Sequence, residues 1–98
     1  AWEVRPFLPA SEIEAMQVSE GGDALRSARA LLDAAKIHYT PEVLIGPVAE
    51  TIARFVNQND CHLIVMGTRG LGAIEGMVLG SVASKVVHLA DCAVTLVK

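Results

Sequence analysis

Several large classes of function are excluded by what this 98-residue chain has little of. Its two cysteines, Cys61 and Cys92, are too few for a disulfide framework and have no CxxC spacing. Both stand ahead of predicted strands, so a cross-strand disulfide stays open beside the reading as reduced, buried thiols. There is no surplus of positive charge. Eight Lys and Arg against eleven Asp and Glu give a formal charge of −3, whereas non-specific nucleic-acid binding needs a strong positive field. No run of like charges marks a tail. No apolar stretch approaches the ~20 residues that cross a bilayer. The opening AWEVRPFLPA lacks the basic-then-apolar pattern of a secretory leader. The expectation is a cytoplasmic protein with neither nucleic acid nor membrane as partner.

Catalytic signatures are equally scarce. His38, His62 and His88 have no metal-ligand spacing, so no metal site is expected from them. Glu50 and Glu75 have no visible partner for acid–base work. No Ser–His–Asp or Cys–His arrangement stands out, and no catalytic residue is assigned. Asp60 and Asp91 each precede a predicted strand and read as turn residues.

What is present is apolar patterning. With 52% hydrophobic residues the chain can bury a modest core, and residues 1–98 read as a single domain. WEVRPFL, at 2–8, reads as the end of a strand, stopped by Pro6 and Pro9. Residues 10–20 carry weak helical signals. From about Gly22 to Lys36 the pattern is helical, with Leu25, Ala28, Leu32 and Ala35 on one face. HYTPEVLI, at 38–45, reads as an edge strand, because Pro41 has no N–H for a ladder. Gly46-Pro47 opens a helix that ends near Asn57 and Asn59. HLIVM, at 62–66, suits a strand buried on both faces. A last helix spans Ser81 to Leu89 and a last strand Ala93 to Val97. This alternation predicts an α/β fold with a parallel sheet and right-handed crossovers.

Between the buried strand and the last helix lie Gly67, Gly70, Gly72, Gly76 and Gly80, five of the chain's eight glycines. A Walker A loop is excluded, since no Lys follows a glycine here. A dinucleotide fingerprint fails as well: after Gly70 and Gly72, Glu75 occupies the sixth place and the helix starts too late. What remains is Gly67-Thr68-Arg69-Gly70, nine residues, then Gly80-Ser81. Two readings stay open. The glycines serve turns and Ser81 is an ordinary N-cap; or the loop and the helix start form an anion cradle at a strand's carboxyl end. In the second reading, Arg69 is the best charged candidate for a phosphate contact.

At these residues the sequence resembles the universal stress protein family, whose ATP-binding branch carries G-x2-G-x9-G-[ST]. Gly67, Gly70, Gly80 and Ser81 match it in full. LIVMGTRG, VLGSVASKVV, DCAVTLVK and LIGPVAETIARF agree as well, so the likeness is strong over 38–98 and looser over 1–36. The resemblance implies a parallel-sheet α/β sandwich of the adenine-nucleotide alpha hydrolase-like type, with four strands visible in this chain. It implies ATP, with or without magnesium, at the strand ends. Gly67, Arg69 and Gly70 would lie along ribose and phosphates, and Gly80, Ser81 and Val82 would hold the phosphates. Met66 would flank the nucleotide and Val4 would lie against the adenine. Members commonly dimerise through the last strand, here Ala93 to Val97, an apolar edge guarded by Lys98 alone.

The chain departs from that pattern in three places. The family's first strand, with its Asp-containing turn, and the following helix have no counterpart, so the sequence is expected to begin within the second strand. Lys36 stands where a glycine cap is common, and Ala93 where proline is common. The expected function is an ATP-binding stress-response regulatory module with little or no catalysis. The alternatives are a slow ATPase or phosphotransferase using the same loop, and a dimerisation module that binds no nucleotide.

Overall fold

In the computed structural model, residues 10–70 and 79–98 are described. Their elements are α1 (Ala10–Ala34), α2 (Val48–Gln58), β1 (Leu63–Gly67), α3 (Ser81–Leu89) and β2 (Ala93–Val97). Contacts gather them into two units, Ala1–Ile45 and Gly46–Lys98. No described helix is long and apolar enough to cross a membrane.

In the first unit, α1 begins at Ala10 rather than near Gly22, as the periodicity predicts. Glu12, Glu14, Ala15 and Met16 favour helix, and Glu12 in the first turn complements the helix dipole. The helix also continues through Gly21 and Gly22. At Gly21 the missing side chain is required: a Cβ would stand 2.5 Å from a γ-carbon of Val43. Ile13, Gln17, Gly21, Leu25 and Leu32 form the half-buried stripe, while Ala28 and Ala35, predicted to share it, are exposed.

The end of α1 is a Schellman motif. Ile37 N–H donates to Leu32 O at 3.0 Å and Lys36 N–H to Asp33 O at 3.1 Å. Lys36 takes φ 57°, the left-handed conformation that glycine adopts without penalty. The Tyr39 hydroxyl then donates to Asp33 Oδ1 at 2.7 Å, tying the following segment back to the helix.

Residues 38–45 form no strand, contrary to the sequence reading. An extended segment becomes a strand only when a neighbour takes up its backbone groups, and Pro41 removes one donor from any such ladder. The strand predicted at 2–8 lies outside the described residues. Two of the four expected strands are thus seen, and they pair in parallel, with Leu63 opposite Ala93 and Gly67 opposite Val97.

In the second unit, Gly46 carries φ 146°, and a Cβ there would meet Thr51 Oγ1 at 2.6 Å, so the sharp entry to α2 needs glycine. Pro47 caps α2, and its carbonyl accepts from Thr51 N–H at 2.9 Å. At the other end Asp60, at φ 51°, ends the helix, with Cys61 N–H donating to Val56 O at 3.1 Å. The Asn57 side chain accepts from Asp91 N–H at 3.3 Å, which ties α2 to the turn ahead of β2.

The core of this unit is Ala49, Val56, Ile64 and Val86, with Ile52, Met66, Val94, Cys61 and Cys92 packed against it. Ala49, Ala53 and Ala83 are all buried, and residues this small let α2 and α3 approach closely. Both cysteines are free and half-buried, as the reduced-thiol reading has it. β1, predicted to be buried on both faces, buries only one. Ile64 is covered, while Leu63 and Val65 are 51% and 63% exposed. Alternate side chains point to opposite faces, and the core gathers only the face that carries Ile64.

Candidate functional site

The carboxyl end of β1 runs into Thr68, Arg69 and Gly70. Thr68 N–H donates to Val97 O at 2.9 Å, which continues the ladder one step past the strand. Thr68 is buried and its carbonyl accepts from Gly80 N–H. That one bond fixes the start of α3 against the end of β1. Gly67, Gly70, Gly80 and Ser81, spread over fifteen residues of sequence, are therefore drawn to one edge of the unit.

The three glycines are not alike. Gly80 is buried, and a Cβ on it would stand 3.2 Å from Thr68 O and 3.4 Å from Arg69 Cα. It is glycine because two backbones meet there. Its φ is −73°, so handedness plays no part. A Cβ on Gly67 would make only ordinary contacts, at 3.5 and 3.8 Å, and one on Gly70 would meet no described atom within 4 Å. Neither has a positive φ. Neither turn geometry nor packing against described residues accounts for glycine at 67 or 70.

At the start of α3, the N-cap is Gly80 and no side-chain capping bond is made. Ser81 is the first helical residue and is exposed. The N-cap reading of Ser81 is thereby corrected: its hydroxyl does not close its own helix end. Ser84 N–H donates to Gly80 O at 3.0 Å, so the N–H groups of Ser81, Val82 and Ala83 precede the first intrahelical bond.

The predicted site residues divide between two hollows. Met66, Gly67, Arg69 and Gly70 line a cleft of about 630 Å³ together with Thr68, Val97 and Lys98. Ser81 and Val82 line a broader groove of about 1030 Å³ between α2 and α3. Gly80 lines neither hollow; its N–H is taken up by Thr68 O at the strand end. Val4 lies outside the described residues, as do residues 71–78 of the loop.

The charges of the two hollows differ. In the groove, Lys85 Nζ stands 3.7 Å from Glu50 Oε1, so that cation is matched. In the cleft, Arg69 and Lys98 are both exposed and no acidic side chain is among the described lining residues. Thr68 and Lys98 were not singled out as site residues from sequence. The signal for Lys98 was its place just after a strand running parallel to the one that carries the loop. Among the described residues, no group of three or more His, Cys, Asp or Glu side chains is placed to hold a metal ion.

A parallel strand pair, helices that pack on it, and a glycine loop at the strands' carboxyl edge define an open α/β domain with its site where such sheets carry ligands. The chain belongs to the universal stress protein family, whose model matches residues 2–98. With the family comes the α/β fold of the adenine-nucleotide alpha hydrolase-like type. A universal stress protein of Methanocaldococcus jannaschii is 35% identical over 102 residues, covering 98% of this chain and 60% of that protein. One from Methanothermobacter thermautotrophicus is 32% identical over 100 residues, covering 95% of this chain and 68% of that protein. One from Thermus aquaticus is 48% identical over 56 residues, covering 57% of this chain and 41% of that protein. The chain thus spans about 60% of the length of the Methanocaldococcus relative.

Proposed function

We propose that this protein is an ATP-binding regulatory module of the stress response, with the phosphates held between Gly67 and Ser81. The observation that carries the reading is the openness of Gly67 and Gly70, where a side chain would meet no backbone strain and, among described atoms, ordinary contacts at Gly67 and none within 4 Å at Gly70. Glycine costs chain entropy relative to other residues. A ligand that closes on bare backbone supplies the reason for it that the described residues do not. The start of α3, with no side-chain cap, adds N–H groups that have no partner among the described residues and a positive dipole end beside the same edge.

In this reading Met66 flanks the nucleotide, Arg69 contacts phosphate, and Gly80, Ser81 and Val82 present the helix start. Magnesium enters on the phosphates themselves, which is how that ion is commonly held, with few protein ligands. The protein works in the cytoplasm as a homodimer through β2, whose Val97 is 52% exposed and whose outer edge has no ladder partner among the described residues. A monomer in sedimentation velocity at micromolar concentration contradicts the dimer.

Gly67→Ala and Gly70→Ala test the site. Both variants are expected to keep the parent's melting temperature within a few degrees, because the added methyl groups fit. Both are expected to lose about tenfold or more in ATP affinity, about 1.4 kcal/mol. Parent-like affinity in both variants overturns the assignment.

A further inference from the structure

Lys98 follows the strand that runs parallel to β1, and the register Gly67 opposite Val97, carried on by the Thr68–Val97 bond, sets it beside the Thr68–Arg69 turn. It shares the 630 Å³ cleft with Arg69, Gly67 and Gly70. Neither Lys98 nor Arg69 takes part in an ion pair among the described residues, where the pairs are Arg26–Asp23 and Lys85–Glu50. Two like charges on neighbouring strand ends, with no acidic side chain among the described lining residues, repel each other and favour a polyanion between them.

We propose that Lys98 is a second phosphate-binding residue, and that with Arg69 it makes the site prefer nucleotides with a chain of phosphates over those with one. The inference rests on the ATP-binding reading above and assigns it a selectivity. Arg69 and the bare glycines stand on β1's own turn, whereas Lys98 approaches from the adjacent strand. A single phosphate seated on the glycine turn is held by that turn. A second and a third extend the negative charge across the cleft toward the neighbouring cation. A flexible ammonium group suits this work, since it follows a phosphate chain as a point charge and demands no fixed geometry.

The test is titration of ATP and of AMP, each with magnesium, into the protein, Lys98→Gln and Lys98→Arg. Melting temperatures are expected to agree, because the side chain is exposed. Lys98→Gln is expected to bind ATP about tenfold more weakly, the scale of one lost charge-assisted hydrogen bond. Its AMP affinity should change less than about twofold, and its ATP affinity should depend less steeply on salt. Lys98→Arg should restore most of the ATP affinity. If the parent binds ATP and Lys98→Gln binds it equally well, the role of Lys98 is overturned while the glycine-loop reading stands. An equal loss for ATP and AMP overturns the selectivity. If the parent binds neither nucleotide, both readings fall together.

Discussion

At the scale of single residues, glycine is used for different physical reasons along this chain. Gly46 supplies a backbone conformation that side chains rarely adopt. Gly21 yields its space to Val43, and Gly80 lets the end of β1 and the start of α3 meet. Gly67 and Gly70 answer to none of these needs, and the proposed ligand supplies one. Lys36 is the reverse case, a side chain in left-handed conformation at the end of α1 where glycine would be at ease. Lys36→Gly is therefore expected to stabilise the protein by about 1 kcal/mol, since a non-glycine residue in this region pays a penalty of that order. Chemical denaturation of the two proteins checks it, and an unchanged or lowered midpoint contradicts it. Thr51 Oγ1 is another residue-scale cost, buried with no hydrogen-bond partner among the described residues. It sits at 2.6 Å from the place a Gly46 side chain would take.

At the scale of elements, the helix and the strand at the C-terminal end of the second unit were the most legible. Ser81–Leu89 and Ala93–Val97 match their predicted bounds, because each is short, apolar on a clear period and framed by turn residues. The Gly46-Pro47 entry of α2 and its end near Asn59 were readable for the same reason. Residues 38–45 were misread. Their pattern is that of a strand, but a strand is a relation between two segments, and local sequence does not carry the partner. The long α1 was under-read because Gly21-Gly22 looks like a break, and the contact with Val43 that calls for a bare helix face there is non-local. For the site, the glycine spacing was legible and its convergence was not. The Gly80–Thr68 bond and the place of Lys98 are products of parallel pairing. Packing of α2 and α3 on the strand pair centres on Val86, which is fully buried. Val86→Ala is expected to cost about 2 kcal/mol, two methylene equivalents of burial plus a small cavity. A change below about 0.5 kcal/mol in denaturation would show that this core does not hold the site's frame.

At the scale of the whole molecule, family membership and the described residues carry different parts of the account. The family model spans residues 2–98, and the second unit, Gly46–Lys98, contains the strand pair, both site hollows and the core that supports them. The relatives are longer than this chain. The site offers bare backbone, a helix start with no side-chain cap and two cations.

The most direct measurement is a calorimetric titration of ATP with magnesium into the protein, from a sample whose folding is verified by circular dichroism. The account predicts saturable binding at one site per chain with a dissociation constant in the micromolar range, about −8 kcal/mol. A folded protein that gives no binding heat at several temperatures, and no rise in melting temperature at millimolar ATP, would contradict it.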